Sequence, residues 1–76
     1  MLTLKQLGPN QTQLNVDGLE VLFSYETPVA CRLRDGTWRQ TSTKHSNTTT
    51  KHIKQWLAGA VAPKAEQSFF DNLLQY

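Results

Sequence analysis

The hydrophobic period of this chain changes inside Thr41–Leu57, TSTKHSNTTTKHIKQWL. Ahead of that stretch apolar and polar residues alternate, the pattern of strands that bury one side. Within it Ile53, Trp56, Leu57 and then Ala60 fall at i, i+3, i+4 and i+7, one face of a helix. The fold therefore has to join a sheet-forming part to a helical part here. The same residues gather much of the positive charge.

The alternating part divides into five strands. Met1–Leu7 has Leu2 and Leu4 on one side, and Gly8-Pro9-Asn10 then supplies turn chemistry. Gln11–Val16 places Thr12, Leu14 and Val16 together. Asp17-Gly18 follows, a hairpin signal because a type I′ turn needs positive φ at both positions. Leu19–Glu26 is the most regular run, with Leu19, Val21, Phe23 and Tyr25 on one face. Thr27-Pro28 interrupts the pattern, since proline donates nothing to a ladder. Val29–Arg34 resumes it, with Val29, Cys31 and Leu33 inward and Ala30, Arg32 and Arg34 outward. Asp35-Gly36 signals another hairpin, and Thr37–Ser42 forms a polar strand around Trp38. Twist should curl such a meander into a small, partly open barrel.

Ser46 or Asn47 is placed to cap the helix and Gly59 to take the left-handed position after it. Pro63 suits the first turn of a second helix, with Ala65, Phe69, Phe70, Leu73 and Leu74 as its apolar stripe. The expected fold class is α+β: a strongly bent five-stranded antiparallel β-meander followed by two C-terminal helices. It forms one domain over 1–76, with the meander in 1–42 and the helical part in 46–76.

A chain of 76 residues has a thin core, burying only roughly 60% of its unfolded surface. One cysteine permits no internal disulfide, so self-association into a homo-oligomer is the expected way to hide more apolar surface. Met1–Leu7 lacks the apolar core of a signal peptide. No apolar run approaches the ~20 residues that span a bilayer. A cytoplasmic protein with no membrane partner is expected.

Little points to catalysis or to a cofactor. Cys31 has an inward strand position, and neither His45 nor His52 comes with an evident orienting carboxylate. The two histidines are seven positions apart, about 10.5 Å of rise along a helix, against the i, i+4 spacing of a helical metal pair. Both read as solvated surface side chains. Asp17 and Asp35 are explained as turn residues, and each glycine has a turn or cap role.

Charge is more informative in its distribution than in its net value of +2. Lys5 against Asp17, Glu20 and Glu26 leaves residues 1–31 at −2, and Lys64 against Glu66 and Asp71 leaves 55–76 at −1. Arg32, Arg34, Arg39, Lys44, Lys51 and Lys54 against Asp35 bring 32–54 to +5. A helix N-terminus attracts anions, and hydroxyl and amide side chains crowd the approach to this one. The candidate nucleic-acid contacts are therefore Arg32, Arg34, Arg39, Lys44, His45, Lys51 and Lys54, with the three arginines forming a stripe toward the helix start. RNA or DNA is one expected partner. The other reading is an interaction module for a host protein, working through Phe69, Phe70, Leu73 and Leu74.

LFSYETPVA (Leu22–Ala30), Trp38, STKHSNTTTKHIKQWL (Ser42–Leu57) and SFFDNLL (Ser68–Leu74) together resemble short proteins of marine cyanophages and ocean metagenomes, a group without an assigned activity. The resemblance covers roughly residues 18–76. It implies a phage-encoded accessory protein acting in the cytoplasm of an infected host cell. Through one protein of that group it also implies an Sm-like small barrel, hence a ring oligomer and RNA binding. Departures from the Sm pattern are a leading strand in place of a helix and the absence of the paired Sm motifs. No uridine-pocket residue therefore carries over to any position here.

Overall fold

Turn residues set the sheet. Asp17 and Gly18 take φ of 48° and 88°, and they join β2 (Gln11–Val16) to β3 (Leu19–Ser24) in register, with Val16 opposite Leu19. Asn10, at φ 60°, turns the chain between β1 (Leu2–Gly8) and β2. The structure is a computed structural model that describes residues 2–73. After β3 come β4 (Thr27–Arg32) and β5 (Trp38–Thr41), then α1 (Asn47–Leu57), a two-residue strand β6 (Lys64–Ala65) and α2 (Gln67–Asn72).

Strands β1 to β5 form the expected antiparallel meander, and β6 adds to β5 in parallel. The sheet order runs β1 to β6 with β1 and β6 at its two ends, so the sheet is not closed into a barrel. The parallel pair is held by bonds from Gln40 N–H to the Pro63 carbonyl and from Ser42 N–H to the Ala65 carbonyl. Pro63 therefore precedes a strand, and α2 begins only at Gln67. Tyr25 also departs from expectation. It takes φ 59° in the turn after Ser24, so β3 ends two residues early and Thr27-Pro28 belongs to β4.

The register explains why Ala30, read as outward, is fully buried. Leu22 pairs with Ala30 and Phe23 with Pro28, leaving Val29 as an extra residue in a bulge. The bulge also accommodates a proline that cannot bond to β3. Both faces of the sheet are covered. On one, Leu14, Val16, Leu19, Val21 and Cys31 meet Phe70 of α2, with Phe69 and Leu73 alongside. On the other, Leu22, Val29 and Ala30 meet Ile53 and Leu57 of α1, with Ala62. Trp38 and Trp56, both partly buried, pack edge to face there, 5.3 Å between ring centres. The stripe of α2 is thus docked on its own sheet; Leu74 lies outside the described residues.

Candidate nucleic-acid interface

Ser46 sets where α1 starts. Its extended backbone leaves the side chain free to cap, and its Oγ accepts from the Thr49 N–H at 3.1 Å. At the other end Ala58 takes φ 50° and returns its N–H to the Lys54 carbonyl, with Gly59 left-handed after it. These caps fix α1 across the sheet so that Thr50, Ile53 and Lys54 look onto the end of β5. Gln40 to Lys44 form the facing wall, and Lys64 on β6 closes the side.

The result is a cleft of about 290 Å³. Lys44, Lys54 and Lys64 line it together with Thr41, Ser42, Thr43 and Thr50, and among the described residues none of the lining is acidic. The Thr41 and Thr50 hydroxyls already donate to Gln67 Oε1 and the Ser46 carbonyl, which leaves Ser42 and Thr43 as the hydroxyl donors. Ammonium groups and hydroxyl donors converging without a carboxylate suit a ligand that carries negative charge and many acceptor oxygens. The cleft lies along the flank of α1, whereas the sequence placed the anion site at its start. Ser46 Oγ already occupies the Thr49 N–H there.

The predicted contacts are separated by the fold. Lys44 and Lys54 reach the cleft, and Lys51 is exposed elsewhere on α1. Arg32 pairs with Glu20 at 3.8 Å and stacks its guanidinium 5.7 Å from the Trp38 ring. Arg39 stands opposite Cys31 in the ladder, hence on the α2 face, and donates to the Trp38 carbonyl at 2.8 Å. Arg34 donates to the Asp17 carbonyl at 3.0 Å. The arginine stripe is therefore not formed, because Arg32 and Arg39 lie on opposite sheet faces. His45 lies 2.8 Å from Gln67 Oε1, which only accepts, so His45 Nε2 carries the proton. Lys64 was missed: it was counted with the acidic C-terminal segment, and no periodicity announces a two-residue strand.

His52 is not the solvated side chain expected. It is buried, with Nδ1 2.9 Å from Ser24 Oγ, which in turn lies 3.0 Å from Thr49 Oγ1. Thr49 also accepts from Ser46 Oγ at 3.2 Å. Ser46, Thr49, Ser24 and His52 thus form one connected chain of hydrogen bonds that ties α1 to the end of β3. Cys31 is fully buried, and desolvation pushes its thiol up to about 11 against the opposing pull of Arg39. At neutral pH it is a protonated core side chain.

These features define an α+β domain: an open, mixed six-stranded sheet with one helix on each face and a lysine-lined cleft beside α1. The chain belongs to a family of unknown function, DUF8033, whose match covers residues 2–72. No curated protein and no solved structure matches it.

Proposed function

We propose that this protein binds the sugar-phosphate backbone of RNA or DNA without catalysis, through the cleft between α1 and the β5–β6 end of the sheet. The observation that carries this reading is the convergence of Lys44, Lys54 and Lys64 with Ser42 and Thr43 in one cavity that no carboxylate of the described residues lines. Lysines supply sequence-independent charge, so RNA and DNA of any sequence bind alike. The resemblance to small cyanophage proteins supports an accessory role in an infected host cell. The alternative, a module that captures a host protein through α2, draws less support, because Phe70 is wholly buried against this chain's own sheet.

Fluorescence anisotropy with labelled single strands over a salt series tests the proposal. Three released counterions predict a slope of about −2 in log K against log salt for single strands. Replacing Lys44, Lys54 and Lys64 together by glutamine abolishes that slope and lowers affinity equally for all sequences. Absence of binding at low salt sinks the reading. Binding unchanged by the triple substitution moves it to another surface.

A further inference from the structure

A second surface stands at the opposite edge of the sheet. Among the described residues strand β1 is paired only on its β2 side, and Leu2, Leu4 and Leu7 are exposed by 60%, 65% and 37%. Leu4 also borders an apolar groove of about 330 Å³ with Thr12, Leu14, Phe23, Tyr25 and Glu26. A long edge strand with exposed leucines is a template for another strand, and natural sheets usually blunt such edges.

We infer that this edge pairs with the β1 edge of a second copy of the chain, antiparallel, about a two-fold axis that passes through Leu4. The ladder fixes which groups are free to do so. The two-residue turn at Asp17-Gly18 makes Val16 and Leu19 a hydrogen-bonded pair. Alternation then turns Val16, Leu14 and Thr12 toward β3, and Asn15 and Gln13 toward β1. Their partners Thr3 and Lys5 bond inward, so Leu2, Leu4 and Gln6 turn their N–H and C=O groups to the open edge.

Centring on Leu4 joins Leu4 to its own copy and Leu2 to Gln6 of the second copy, in both directions. All three pairs are of the hydrogen-bonded kind. Centring on Lys5 instead sets two like charges directly opposite each other, which disfavours it. The bulge between Gln6 and Gly8 stops the register from sliding further along the strand. In the Leu4 register Leu2 and Leu4 of both copies lie on one side of a continuous sheet, and they extend the wall of each groove.

Area sets the strength. A seven-residue strand with these leucines offers roughly 500 Å² per copy, against about 800 Å² in a standard interface. The dimer is therefore of the weak, reversible kind. This inference stands independently of the cleft.

Oxidative cross-linking reads the register. Two Cα atoms in a hydrogen-bonded antiparallel pair are about 5.5 Å apart, inside the roughly 4.4–6.8 Å range of a disulfide. Leu4→Cys should give a covalent dimer at least tenfold faster than Lys5→Cys, and the unmodified chain none, because Cys31 is buried. Sedimentation velocity should show the wild type associating as its concentration is raised from ~10 µM to ~1 mM, as a weak, transient interface does. Leu4→Lys, and Leu4→Pro if it folds, should stay monomeric with the wild-type circular dichroism. A wild type that remains monomeric throughout, or equal cross-linking at positions 4 and 5, overturns the inference.

Discussion

Ser24 is the residue on which the docking of α1 turns. Its hydroxyl is the middle link between Thr49 and His52, and all three side chains are buried. Ser24→Ala takes from the Thr49 hydroxyl and from His52 Nδ1 a buried hydrogen-bond partner, at a cost of about 1–3 kcal/mol. For a domain of this size each kcal/mol lowers Tm by roughly 4–8 °C. A circular dichroism melt checks it, and an unchanged Tm refutes the relay. No pattern in the chain shows this link. Ser24 sits on the polar side of an alternating run, and His52 lies beside basic residues that do reach solvent. Burial of both depends on where α1 crosses β3, a contact across 28 positions. Cys31, by contrast, is legible, because strand alternation alone places it inside.

Among the elements, α1 was the most readable. Its apolar spacing acts as the sequence implies, and Ser46 is the cap of the two residues the sequence offers. Gly59 is left-handed as read, although Ala58 before it takes the left-handed cap that bonds back to Lys54. The Ser46 cap is also testable. Ser46→Ala removes both the Thr49 N–H acceptor and the start of the hydroxyl relay, so stability should fall by about 1–2 kcal/mol. Ser46→Asp keeps the cap acceptor and should recover most of the loss in urea denaturation. Equal stability of the alanine variant and the wild type would contradict the cap's role. The sheet was legible where turns announce it, at Asp17-Gly18 and Asp35-Gly36. It failed where pairing partners decide. Ala-Pro-Lys-Ala-Glu, residues 62–66, reads as a helix start, yet two long-range bonds to Gln40 and Ser42 draw Lys64 and Ala65 into the sheet. That pairing also delivers Lys64 to the cleft, so the same misreading hid one of its three lysines. Residues Leu2 and Leu4 show the converse: their strand is foreseen, but alternation cannot say that, among the described residues, no helix reaches that end of the sheet.

At the scale of the whole molecule the two proposed surfaces lie at opposite ends of the strand order. Four strand spacings separate β1 from β5, about 19 Å at the usual ~4.8 Å between neighbours. The cleft is built from β5, β6 and α1, and the proposed dimer edge from β1, with no residue shared between them. Substitutions that far apart, without common partners, act independently to within about 0.5 kcal/mol. A six-nucleotide strand, too short to reach two clefts, should therefore bind a Leu4→Lys monomer within about twofold of the wild-type affinity. The Lys44, Lys54 and Lys64 triple variant should sediment as the wild type does, since its removed charges lie beyond a Debye length of about 8 Å from the edge. A longer strand reports differently. If it engages both clefts of a dimer, Leu4→Lys weakens it through loss of the second contact, while the six-nucleotide strand is unaffected. Measuring both lengths on both variants separates the two surfaces. A six-nucleotide affinity that falls with Leu4→Lys would show that the cleft is completed by the second copy, and that the two edges of the sheet work as one site.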